Sequence, residues 1–106
     1  MPDYTEKPKN WRDLPPGELA AFMNRKAEGY LPALLGFTLT SVTKDRVTAR
    51  MEIRKHHLAP NDYLHAASVI TLADTVCGMA TIVNLPEGAG GFTTIELKTN
   101  FLGTTR

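Results

Sequence analysis

The stretch AASVITLADTVCGMATIVNL, residues 66–85, decides most of what this chain can fold into. It is apolar on every side at helical period, contains no proline and stops only at Pro86, so it predicts one long helix that needs cover all round. Asp74 stands near its middle. An ionised carboxylate in apolar surroundings costs on the order of several kcal/mol unless something pairs with it or uses it. That charge, together with Ser68, Thr71, Thr75 and Thr81, sets the segment against a membrane-spanning role.

The remaining segments are candidates for the cover. Residues 1–15 read as a polar, proline-rich N-terminal arm able to lie over the domain through Trp11. PGELAAFMNRKAEG, residues 16–29, opens on a favourable proline, places Leu19, Phe22 and Met23 on one face and ends on glycine, which predicts an amphipathic helix of about 11 residues. LPALLGF follows as an irregular joint broken by Pro32 and Gly36. Phe37 and Leu39, then Val47, Ala49, Met51 and Ile53, alternate with polar residues across a TKD turn at 43–45, the pattern of an antiparallel hairpin with one buried face. HHLAPND is a loop ending in the turn formers Asn61 and Asp62. Beyond the loop PEGAGG, FTTIELKTNF alternates once more and predicts a third strand over residues 92–101, with Ile95, Leu97 and Phe101 on one side.

These elements make an α+β chain whose parts do not close. Three strands and a short helix cannot enclose an apolar helix of about 20 residues. The expectation is that further strands follow Arg106 or that another chain supplies the cover.

Charge and cysteine usage narrow the partners. The 106 residues are 42% hydrophobic, enough for one domain with a core, and 12 basic against 11 acidic residues leave a formal charge of +1. No basic block is present to track a nucleic-acid backbone, so nucleic acid is not an expected partner. The single cysteine, Cys77, forms no internal disulfide, and MPDYTEKPKNWRDLPPGE offers no apolar leader, which makes the cytoplasm the expected location.

The long helix presents two groups of chemical interest. Free backbone N–H groups at its start, around His65, Ala66 and Ala67, are oriented donors at a positive dipole end and suit a carbonyl oxygen becoming an oxyanion. The Asp74 carboxylate can activate a water or attack as a nucleophile. A purely structural carboxylate, bonded to Thr71, Thr75 or neighbouring backbone, is the competing reading. Nine residues separate His65 from Asp74, which is ~13.5 Å along the axis and about two and a half turns. The two groups of one helix therefore face opposite ways and cannot act on the same carbonyl. If both are catalytic, the donors of one subunit meet Asp74 of another, as a two-fold dimer with antiparallel long helices would arrange.

Other polar residues carry less. Cys77 has no histidine on its helix to activate it and reads as an inert thiol. His56 and His57 are adjacent and point apart if extended, so no metal-ligand spacing results and no metal or redox cofactor is expected. His65 reads as a residue that fixes the turn into the helix, with general base as the alternative. Arg54 and Lys55, with His56 and His57 beside them, form a small basic cluster that is either solvated surface or a site for phosphate groups.

NDYLHAASVITLADT, residues 61–75, and TTIELKTNFLG, residues 93–103, together resemble the hotdog-fold acyl-CoA thioesterases, within them the branch of phenylacetyl-CoA-pathway thioesterases. The resemblance runs over residues 36–103: a loop, a His at the start of the central helix, an acidic residue nine positions on, and a Thr-x-Glu-Leu strand. It implies a hotdog fold, an antiparallel sheet wrapped around the long helix over residues 16–106, assembled as a homodimer or homotetramer and acting on an acyl-CoA or aryl-CoA. It further implies that Asp74 is the base or nucleophile, that Ala66 N–H polarises the thioester carbonyl, and that Thr94, with Thr93 as the near alternative, orients the water. Three departures stand out. The family's His-Gly-Gly is His65-Ala66-Ala67 here, which keeps an N–H donor but adds methyl groups where a thioester approaches. The loop position six before the His, often Asn or Gln, is Ala59, and Asn61 is the expected substitute in assisting the carbonyl. The family's further strands have no counterpart before Arg106.

A thioester suits so small a set of groups. A thiol has a pKa near ~8.5 and leaves as thiolate without a proton donor, so one carboxylate and one oxyanion hole suffice. A non-catalytic acyl-CoA-binding module on the same fold is the rival reading. A hydratase fits less well, because its histidine and carboxylate would have to work together and His65 and Asp74 lie apart.

Overall fold

The computed structural model describes residues 11–103 and residue 105. Residues 1–10, most of the expected arm, lie outside the described residues. Trp11 begins a single 3-10 turn, Trp11–Asp13, and is buried. Its ring packs on Phe22 with centroids 5.3 Å apart, while the Arg12 guanidinium lies 4.5 Å above it.

Helix α1 (Pro16–Lys26) starts on its proline and buries Leu19, Ala20, Phe22 and Met23, the stripe expected from their spacing. The helix stops three residues before Gly29, which follows in a left-handed turn at φ 86°. A one-turn helix α2 (Leu31–Leu34) forms the joint and ends at Gly36, φ 77°. Strands β1 (Phe37–Val42) and β2 (Val47–Met51) make the expected antiparallel hairpin, from Phe37 opposite Met51 to Val42 opposite Val47. Its turn closes on Thr43, whose N–H donates to Arg46 O and whose Oγ1 accepts from Arg46 N–H, both at 2.9 Å. A bulge interrupts the ladder between Leu39 and Ser41, and there Asn24 of α1 takes over. Its Nδ2 donates to Leu39 O and its Oδ1 accepts from Leu39 N–H, each at 2.9 Å.

Helix α3 (Ala66–Val83) is the predicted long helix, capped by Asn84 and ending two residues before the sequence pattern fades at Leu85. Only Ser68 and Val83 of α3 are buried. Met79 and Ile82 pack against the core formed by Trp11, α1 and the hairpin, and Arg12 Nε donates to Ile82 O at 3.1 Å. The all-round cover that its composition demands is therefore not supplied by the described residues.

Residues 92–101, expected as a third strand, pair with no strand among the described residues. Alternation in the sequence marks a segment fit for a sheet, but a ladder needs a partner chain edge. The segment instead runs back along α3. Phe92 lies against Gly78, Thr94 bonds Asp74, and Thr105 O accepts from Leu64 N–H at 2.8 Å, just before the helix begins. Ile95 remains 95% exposed. Among the described residues the architecture is α+β, with a two-stranded antiparallel sheet, α1, α3 and the short α2 against it, and an open face on α3.

Candidate functional site

The start of α3 is set by a tight loop. Leu58 and Leu64 form an isolated bridge, Ala59 N–H donates to Tyr63 O at 2.8 Å, and Asp62 sits in the left-handed region at φ 66°. Asn61 closes this loop, its Oδ1 accepting from Tyr63 N–H at 3.2 Å, an Asx-type turn that leaves its Nδ2 as a donor. His65 is the N-cap of α3. Its Nδ1 accepts from Ala67 N–H at 2.9 Å, so the Ala67 donor is spent. Ser68 N–H turns to His65 O. Ala66 N–H is left with no hydrogen-bond partner among the described residues, at the positive end of an 18-residue helix. Ala66 lines a depression of about 590 Å³ together with Ala59, Asn61, Leu64, His65 and Phe101.

Asp74 belongs to a second depression, of about 720 Å³, walled by Cys77, Gly78, Phe92, Thr93 and Thr94. The carboxylate is half-buried, and the Thr94 hydroxyl donates to its Oδ1 at 3.2 Å. Thr71, one candidate for a structural partner, donates instead to Ala67 O of its own helix at 2.7 Å. Oδ2 of Asp74 has no hydrogen-bond partner among the described residues and remains able to accept a proton from a water.

The two depressions share no lining residue. Ala66 and Asp74 are eight residues apart on one helix, ~12 Å along its axis. One chain thus carries Asn61, His65 and Ala66 together, and Asp74, Thr93 and Thr94 together, without joining the two sets. Besides α3 itself, the segment after residue 91 lines both, Thr94 the second depression and Phe101 the first.

Arg54 and Lys55 belong to neither set. Arg54 lines a separate depression with Thr38, Arg50 and Glu52, and its Nη2 lies 3.5 Å from Glu52 Oε2. Lys55 starts a 3-10 turn, Lys55–His57. The expected basic cluster loses one member here, because His57 is fully buried. His57 Nδ1 accepts from Arg54 N–H at 2.9 Å and its Nε2 donates to Leu35 O at 2.6 Å, which fixes one neutral tautomer. Its carbonyl accepts from His65 N–H at 3.0 Å and from Ser68 Oγ at 2.8 Å. His57 therefore ties the end of α2, the exit from β2 and the start of α3 to one another. The sequence carries no signal that separates it from His56, since the two differ only in which side of a short turn they face.

A further hollow, about 390 Å³, lies between Trp11, Phe22, Tyr30, Met79 and Ile82, away from both sets. Among the described residues no three His, Cys, Asp or Glu side chains gather as metal ligands. Compared with protein-family models, with curated proteins and with solved structures, the chain matches none.

Proposed function

We propose that this chain is a hotdog-fold acyl-CoA thioesterase that works as a two-fold dimer. The observation that carries the reading is the division of labour along α3: an Ala66 N–H with no partner among the described residues, beside Asn61 at the helix start, and a carboxylate held by Thr94 about two turns further along the helix. The open face of α3 supports a second copy as the missing cover, and the resemblance over residues 36–103 supports the thioester.

In the reaction, Ala66 N–H of one subunit binds the thioester carbonyl oxygen, and Asn61 Nδ2 adds a second donor. Asp74 of the other subunit takes a proton from water through Oδ2, and Thr94 holds the carboxylate in place through Oδ1. The hydroxide equivalent attacks the carbonyl carbon, and the negative charge that moves to its oxygen is met by the N–H donors. The tetrahedral intermediate collapses, the C–S bond breaks, and coenzyme A leaves as thiolate, giving the free acid. A thiolate needs no protonation on departure, so Asp74 alone serves the proton transfer.

Release of free thiol from a panel of acyl-CoAs, followed for the unaltered protein and for Asp74→Asn, tests this reading. Turnover that falls 10²-fold or more in the variant is expected, the range of a lost general base. Equal turnover in both removes Asp74 from the reaction. Binding of coenzyme A esters without thiol release in either protein replaces the enzyme by a binding module.

A further inference from the structure

Gly78 occupies the interior of α3, where glycine is a poorer helix former than alanine. It lies four residues beyond Asp74 and so on the same helix face. A Cβ built on Gly78 would meet Phe92 Cζ at 3.1 Å and Cε2 at 3.9 Å, whereas a Cβ on any other glycine of the chain meets nothing within 4 Å. The missing side chain is a seat for the Phe92 ring.

Two fixed points then join the same two segments. Phe92 rests on Gly78, and Thr94 bonds Asp74. Four helical residues rise ~6 Å, and two extended residues span ~6.6 Å, so the two intervals match when the segments run in opposite directions, as they do here. A slip of one residue would bring Thr93 or Ile95 to the position of Thr94, on the opposite side of the chain. We infer that the Phe92 ring seated on Gly78 sets the register of the 92–97 segment and so places the Thr94 hydroxyl on Asp74. Both are positioning residues, and their bearing on turnover rests on Asp74 acting as the base.

The margin is narrow. The Thr94–Asp74 bond is 3.2 Å, already beyond the usual 2.5–3.0 Å or so of an O–H···O contact. A methyl group at position 78 requires the ring to give by a few tenths of an ångström, and whatever part of that shift the backbone carries to Thr94 lengthens a bond that is already long.

The test uses the full chain with Gly78→Ala, Phe92→Ala and the pair Gly78→Ala/Phe92→Leu. It reads the nuclear Overhauser contact between the Thr94 methyl and the Asp74 β-protons, the thermal midpoint, and kcat and KM on the acyl-CoA that the unaltered protein turns over fastest. Gly78→Ala is expected to keep or raise the thermal midpoint, to lose the Overhauser contact and to lower kcat on the order of tenfold, with KM little changed. Phe92→Ala, which leaves the helix untouched, loses the contact as well. The smaller side chain of Phe92→Leu in the double variant restores contact and turnover. Retention of both contact and kcat in Gly78→Ala overturns the inference while leaving Asp74 its role. If the unaltered protein turns over no acyl-CoA, the functional reading fails by itself. The Overhauser contact then decides the register alone, since its survival in Gly78→Ala and Phe92→Ala overturns the inference and its loss in both, with return in the double variant, supports it.

Discussion

The Thr94 hydroxyl donates to Asp74 Oδ1 at 3.2 Å, joining residues 20 apart in sequence. The contact occupies one carboxylate oxygen and leaves the other without a partner among the described residues. A carboxylate anchored through one oxygen holds the second in a fixed direction, which is what a base acting on a single water requires. The bond also ties an otherwise exposed segment to the middle of α3.

Thr94→Val keeps the shape of the side chain and removes the donor. A hydrogen bond of ordinary net strength is worth about 1 kcal/mol, so kcat on an acyl-CoA falls roughly fivefold. Thr94→Ser, which retains the hydroxyl, recovers most of it. Steady-state kinetics on the two variants check this, and a Thr94→Val enzyme with unaltered kcat removes the hydroxyl from the mechanism.

Ala66→Pro deletes one backbone donor and little else. Proline is favoured at the first position of a helix, and the residue before it should be extended, as His65 is at φ −66°, ψ 133°. Thermal stability therefore stays close to that of the parent. Loss of an oxyanion donor costs about 10²–10³ in kcat, and that loss at constant melting temperature is the expected result.

His57→Ala acts on the scaffold. It strands Arg54 N–H and Leu35 O, both bonded to the imidazole, and empties a fully buried site. Unfolding free energy from urea titration falls by roughly 2–4 kcal/mol, and His56→Ala, at an exposed position, changes it by less than about 0.5 kcal/mol.

The contrast between those two histidines shows where sequence reading stops. The hairpin was legible because Val47, Ala49 and Met51 alternate after a turn whose Thr43 closes on Arg46, all local features. Helix α1 was legible from Pro16 and its apolar stripe, and α3 from its length and its capping His65. The separation of Ala66 from Asp74 followed from helical rise alone. What depends on residues far apart in the chain was not legible. Nothing local tells that His57 turns inward to Leu35, that Asn24 bridges the bulge at Leu39, or that Phe92 seats on Gly78. The 92–101 segment has the alternation of a strand, yet pairing is a property of two segments and the pattern describes only one.

A site completed between two copies of the chain is measured directly by subunit mixing. Asp74→Asn and Ala66→Pro proteins, each inactive alone, are unfolded together, refolded and assayed for thiol release. In a mixed two-fold dimer one site combines both defects and the other combines the intact Ala66 of one chain with the intact Asp74 of its partner. Random pairing therefore restores about a quarter of the parent activity per chain. Recovery near that level is the predicted result. A mixture that forms mixed dimers and stays inactive contradicts the shared site.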